Sequence, residues 1–296
     1  METLTIPAKS ILIKNKDLSW FGAEYNMNLY KGCSHGCIYC DSRSECYHIE
    51  QFDTVRIKAK AIQILEGELR RKRGEKATIF TGSMSDPYNP LEKKLCLTRQ
   101  ALELIKSSGF GVSIATKSDL ITRDIDLIKE ISNRAPVLVK VTITTADDKF
   151  ARKVEPYVSV SSRRFEAIQQ LSEEGIFTGI LMMPLLPFIE DTKDNIFEIV
   201  KKAHESGVKF IYPAIGMTIR TGQREYFYNK LDEYFPGMKE KYIRTYGNQY
   251  KCVSKQARQL YELFGAECKA RGILYEMPQI IEAYKKGYRT QQLSLF

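Results

Sequence analysis

The chain has no run of apolar residues long enough to cross a membrane, and no apolar leader at its amino terminus. An integral membrane protein is therefore not expected, and a cytoplasmic protein with free thiols is. Its seven cysteines are an odd number in a chain without a secretory leader, which argues against a disulfide framework. No second cysteine knuckle follows the first cysteine cluster, as a structural zinc site normally requires, and Cys96, Cys252 and Cys268 stand alone. A glycine-rich phosphate fingerprint is missing after the first strand-like segment, which disfavours a doubly wound nucleotide-binding domain. Internal repeats and low-complexity tracts are absent too.

The 296 residues include 43% apolar side chains, ample for a core and for one barrel-sized domain or two smaller ones. The net charge of +9 suits a polyanionic partner such as nucleic acid, although a solvated basic surface explains it as well. From Tyr25 to about Ile215, short β-rich runs alternate with helical stripes. The predicted strands are Tyr25–Tyr30, Ala77–Phe80, Phe110–Ala115, Val137–Ile143, Ile176–Met183 and Val208–Ile215. Apolar residues at helical spacing lie between them, as in Ile57, Ala61, Leu65 and Leu69. Strands joined by helices pair in parallel through right-handed crossovers, so an α/β fold is expected. With no phosphate fingerprint, a partial (βα)6 barrel is preferred to an open sheet. Residues 1–24 read as a lead-in on the barrel exterior, 25–215 as the core, and 216–289 as a helical extension closing the barrel mouth. Within that extension Thr221–Phe235, Ser254–Arg271 and Pro278–Lys286 read as helices, with Gly237–Tyr250 as their connection.

The strongest signal lies just after the first strand, in Cys33-Ser-His-Gly-Cys37-Ile-Tyr-Cys40. Three thiolates at this spacing can hold three irons of a [4Fe-4S] cluster and leave the fourth without a protein ligand. S-adenosyl-L-methionine can chelate that open iron through its amino and carboxylate groups. His35 and Cys46 stand close enough in sequence to complete a zinc site instead. The CxxxCxxC spacing, with the aromatic Tyr39 before its last cysteine, resembles the radical S-adenosylmethionine superfamily. That resemblance implies a partial barrel and an enzyme that generates a 5′-deoxyadenosyl radical, fed by an external electron donor.

Polar residues at the predicted strand ends supply candidate ligands. Thr81-Gly-Ser83-Met84-Ser85-Asp86-Pro87 offers hydroxyls and a carboxylate for the methionine ammonium, and reads equally as an Asx turn before proline. Lys117 after the third strand could pair with the methionine carboxylate, or be a solvated lysine at a helix start. Thr142 and Thr144 share a face and are available to ribose hydroxyls if that face points inward. Arg152, Glu155 and Arg163 follow in a charged loop, where surface pairing accounts for them. The cysteine loop, the Gly-Ser-x-Ser-Asp element, the Thr-Lys pair and the Glu-Pro/Arg-rich loop together resemble the spore photoproduct lyase-like (DNA repair photolyase-related) branch. By that resemblance the Tyr39 backbone contacts adenine, and Ser83, Lys117 and Thr142 contact the rest of S-adenosylmethionine. One position departs from the branch: Met84 stands where the lyases carry a hydrogen-donating cysteine, and a thioether has no S–H. Cys46 is the alternative donor, with Cys96 read as a small packed cysteine.

The segment Arg220–Tyr250 interleaves basic and aromatic residues, a pattern suited to phosphate and base contact and to helical packing alike. The chain ends Gln292-Leu293-Ser294-Leu295-Phe296, which resembles the peptide by which bacterial repair and replication proteins dock on the DNA sliding clamp. The expected substrate is DNA, RNA or a damaged base. A peptide or small metabolite is the alternative substrate, and a non-catalytic zinc-stabilised nucleic-acid-binding module the alternative class.

Overall fold

The computed structural model describes residues 4–289. Six parallel strands form its centre: β1 (Tyr25–Met27), β2 (Thr78–Thr81), β3 (Gly111–Thr116), β4 (Val137–Thr142), β5 (Thr178–Leu185) and β6 (Phe210–Thr218). They lie side by side in chain order, each paired with its sequence neighbour. That is the predicted six-stranded order, with each strand displaced by at most a few residues. Every residue of β3 and β4 is buried. Such strands read as continuous apolar runs because both faces are covered.

One face meets the crossover helices α1 (Ala61–Arg71), α2 (Leu97–Ser108), α3 (Ile125–Ser132), α4 (Ser161–Glu173) and α5 (Lys193–Glu205). Ile79, Val112, Ile114, Val139, Val141 and Ile180 form that layer. The other face is concave and carries Phe80, Ala115, Leu138, Leu181 and Phe210. Register places Ala115 opposite Lys140 and Thr142 opposite Leu181, so these side chains share the concave face. The sheet does not close among the described residues. Leu12–Lys14 pairs antiparallel with β1 at one edge, and Lys251–Val253 pairs antiparallel with β6 at the other. The lead-in is thus partly a strand of the sheet.

The carboxyl-terminal extension departs from expectation in two ways. Met238–Tyr246, predicted as connection, is a helix. Its Tyr242 and Tyr246 are buried against Phe227 and Tyr228 of the helix Gln223–Tyr234, a contact that sequence spacing alone does not reveal. The last helix, Met277–Arg289, does not close the mouth; it plugs the opposite end. Its Tyr284 hydroxyl donates to Phe21 O (2.7 Å), and Lys285 Nζ pairs with Glu24 (2.8 Å), both in the segment that leads into β1. Tyr288 also donates to Ser132 O, just before β4. Apolar Ile280 and Tyr284 thereby fill the amino end of the barrel beside Phe21 and Phe210.

Candidate functional site

The loop after β1 is shaped by tight backbone geometry. Gly36 adopts φ +67°, the left-handed region that favours glycine, and a β-carbon there would lie 2.6 Å from the exposed Tyr157 ring, which would have to move aside. The loop is then tied down on several sides. Cys33 N donates to Phe52 O (2.8 Å), Ile38 N to Val154 O (3.0 Å) and Tyr157 N to His35 O (3.1 Å). The Ser85 hydroxyl donates to Gly32 O (2.6 Å), and Gln223 Nε2 to Tyr39 O (2.8 Å).

Beneath the loop runs a buried polar network that the sequence did not disclose. The Tyr39 hydroxyl donates to Glu155, which also accepts from Arg164 Nη1 (2.5 Å). Glu155 and Arg164 have side-chain exposures of 1% and 0%, so the expected surface pairing of Glu155 is corrected to a buried ion pair. Arg152 and Arg163 do stay outside. Burial alone would raise the Glu155 carboxyl, but Arg164 and Lys117 outweigh it and hold the group low. Glu190 lies deeper, accepting from Thr144 Oγ1 (2.7 Å) and Leu186 N (3.1 Å). Burial drives its carboxyl well above the usual range. Sequence reading missed Arg164 and Glu190 because nothing in their local pattern shows that both are buried.

A cavity of about 610 Å³ opens at the carboxyl edge of the sheet. Cys33, Cys37 and Cys40 line it together with Tyr39, Ser83, Ser85, Asp86, Lys117 and Thr142. Most of the predicted site residues therefore meet in one place. Burial raises all three thiols; Asp86 adds to the rise at Cys33, which is pushed up to about 12, and Lys117 opposes it at Cys37 and Cys40. Burial opposes the charge of Lys117 itself, yet Cys37 and Glu155 keep its ammonium above its ordinary value. A cationic group thus stands beside two prospective thiolates.

Other candidates are already engaged within the protein. Asp86 accepts from Tyr88 N (2.9 Å), Thr116 Oγ1 (2.7 Å) and Lys117 N (2.8 Å), and lies 3.5 Å from His35 Nδ1. It caps the turn through Tyr88 N, as the Asx reading anticipated, and also fixes the Lys117 backbone, which that reading did not foresee. Ser83 Oγ exchanges hydrogen bonds with Asn26, at 3.0 and 3.1 Å. Gly82, at φ +101°, would place a β-carbon 2.0 Å from Ala115 O; its close approach is to the neighbouring strand. Thr144 does not line the cavity, since its hydroxyl is spent on Glu190. Cys46 is exposed outside the cavity, with Arg220 Nη1 3.2 Å from its sulfur, and Cys96 lies apart beside Arg123. Met84 does face the cavity, as do Met183, Met217 and Trp20, three residues that sequence reading did not single out.

The donor set suits an iron–sulfur cluster. Thiols on a multi-iron cluster each take their own iron and need not converge on one point, whereas a zinc ion gathers four ligands around itself. Among the described residues, no three His, Cys, Asp or Glu side chains converge as a single-ion site requires. No helix among them is long and apolar enough to span a membrane.

Comparison with known proteins agrees with this arrangement. An uncharacterised protein of Mycobacterium tuberculosis is 28% identical over 244 residues, covering 80% of this chain and 72% of that protein. An uncharacterised protein of Methanocaldococcus jannaschii is 32% identical over 179 residues, covering 60% of this chain and 66% of that protein. Among solved structures, spore photoproduct lyase complexed with dinucleoside spore photoproduct superposes with a TM-score of 0.66 at 14% identity, covering 90% of this chain and 78% of that one. At that identity the likeness is one of fold. The model of the Radical SAM superfamily matches residues 27–193, more than half of the chain and including the whole cysteine loop. With its three-cysteine loop set at the carboxyl edge of a six-stranded partial barrel, the chain belongs to the radical S-adenosylmethionine superfamily, a family of enzymes that implies an iron–sulfur cluster and S-adenosylmethionine.

Proposed function

We propose that Cys33, Cys37 and Cys40 hold a [4Fe-4S] cluster and that the enzyme acts on nucleic acid or a damaged base. The carrying observation is that the three thiols, Lys117 and Thr142 line one cavity at the carboxyl edge of the sheet. The cluster and S-adenosylmethionine, when bound, supply a 5′-deoxyadenosyl radical that abstracts hydrogen from the substrate. Lys117 is the group for the methionine carboxylate, and its charge also favours the thiolate forms of Cys37 and Cys40. Thr142 is the group for a ribose hydroxyl, and the Tyr39 backbone for adenine, with Gln223 holding the Tyr39 carbonyl in place. Ser83 and Ser85 tie the adjoining turn to Asn26 and Gly32, and Asp86 fixes the Lys117 backbone. Apolar Phe80, Leu181, Met183 and Met217 restrict water around the reacting groups.

Three features support the nucleic-acid reading: the net charge of +9, the lyase-like fold and the sequence likeness to its branch. Met84 in the lyase cysteine position directs the proposal away from spore photoproduct repair itself. An external one-electron donor is required. Gln292–Phe296 lies outside the described residues, and we propose it as a sliding-clamp docking peptide. The test is anaerobic reconstitution followed by incubation with reductant, S-adenosylmethionine and single-stranded or damaged DNA. Release of 5′-deoxyadenosine that rises with the nucleic acid supports the reading; release that rises only with peptides or small metabolites overturns the substrate assignment.

A further inference from the structure

Trp20 is the single tryptophan of the chain. It lies in the turn that leads into β1, near the amino end of the barrel, yet it lines the same cavity as the three cysteines at the carboxyl edge. Its ring is held edge-to-face by Phe21 (4.9 Å, 84°) and by Tyr212 near the start of β6 (5.3 Å, 88°). Phe21 is itself fully buried, so the holder is rigid, while Trp20 keeps 37% of its surface exposed. A large aromatic fixed by its neighbours and open to a cavity is a stacking surface in waiting. The cavity wall near it is apolar, made of Phe80, Leu181 and Met183.

The rim has the opposite character. Lys251, on the edge strand beside β6, lines the cavity and has no ion-pair partner among the described residues. Arg220, by contrast, does not line the cavity: it lies over the rings of Tyr250 (5.0 Å) and Tyr47 (5.6 Å) and donates to the Tyr250 hydroxyl (2.8 Å). One carboxylate, Asp41, stands 3.4 Å from Arg220 Nε and offsets part of that charge. An apolar, aromatic interior with an unpaired lysine at its lip matches a nucleotide: flat base inward, phosphate outward. A purely apolar substrate would gain nothing from the rim.

Resting on the nucleic-acid reading above, we infer that Trp20 stacks a base of a single-stranded nucleic acid, while Lys251, farther along the cavity at its carboxyl edge, holds a phosphate of the same strand. Because the tryptophan is unique, its emission reports this subsite directly. The probe is a short oligothymidylate, with an abasic oligonucleotide of equal length as control and binding followed in parallel by anisotropy of a labelled strand. Oligothymidylate is expected to quench Trp20 emission and the abasic strand is not. Trp20→Ala should weaken oligothymidylate binding by about tenfold, with Trp20→Phe retaining most of it. Lys251→Ala should lower the salt dependence of binding by about one phosphate contact. Unchanged affinity in Trp20→Ala, together with absent quenching in the parent, overturns the subsite and leaves the nucleic-acid reading standing. If the parent binds no oligonucleotide at all, the reading falls and takes the subsite with it. Quenching by a tyrosine-containing peptide but not by oligothymidylate also overturns the inference. Trp20→Phe keeps the test valid should Trp20→Ala unfold.

Discussion

Glu155 and Arg164 carry opposite charges into a region with essentially no solvent access, and Tyr39 shares their carboxylate. Removing one partner of such a pair strands the other charge, at a cost of about 3–5 kcal/mol. Glu155→Gln should therefore lower the guanidinium midpoint of unfolding markedly, whereas exchange of exposed Arg152 should leave it unmoved. Lys140 poses the converse problem. It is fully buried, hydrogen-bonded to Ser113 and set over the rings of Phe80 (4.1 Å) and Phe21 (4.6 Å), and burial pushes its amine well below the ordinary lysine value. The unfolded chain takes up a proton there that the folded chain refuses. Stability should thus rise with pH between the lowered folded value and the unfolded one, about 10.4, by roughly 1.4 kcal/mol per unit. Lys140→Met should remove that slope and raise the melting temperature more at pH 7 than at pH 10; an unaltered slope counts against it. None of these partnerships was legible in the sequence. Glu155 looked like a loop residue because its burial depends on residues supplied by other elements.

Elements were far easier to read than partnerships. The six parallel strands have apolar runs bounded by turns, and local periodicity carries that information. The turn after β2 was legible as well, because Gly-Ser-x-Ser-Asp-Pro announces a bend. Its physical need for glycine appears only in three dimensions, where Gly82 passes Ala115 O. Gly82→Ala should cost about 1–3 kcal/mol of stability and displace Lys117. Thermal denaturation and S-adenosylmethionine affinity would both register it. The helix Met238–Tyr246 was hidden by its dense tyrosines and by the flanking Gly237 and Gly247, which made it look like a loop. The last helix was recognised, but its location was not, since nothing local says which end of a barrel a helix covers.

At the scale of the whole molecule, the concave face of the sheet has two differently finished ends. Ile280 and Tyr284 seal the amino end, and the cysteine loop with its cavity occupies the carboxyl end. The position of that loop was legible, because a motif directly after the first strand of a parallel sheet must lie at the carboxyl edge. Which strand-end residues face the cavity was only partly legible: Thr142 does, whereas Thr144 turns to Glu190. The tail beyond the last helix carries a separate proposal. Deleting Gln292–Phe296 should abolish binding to a bacterial sliding clamp in surface plasmon resonance and leave S-adenosylmethionine cleavage unchanged. Undiminished clamp binding would refute the tail's role without touching the chemistry. The chemistry itself is tested most directly by metal analysis of the anaerobically reconstituted protein, alongside single alanine variants of Cys33, Cys37 and Cys40. About four irons per parent chain, lost in each variant, is the predicted result. One zinc per chain, or iron content indifferent to the three substitutions, would contradict it.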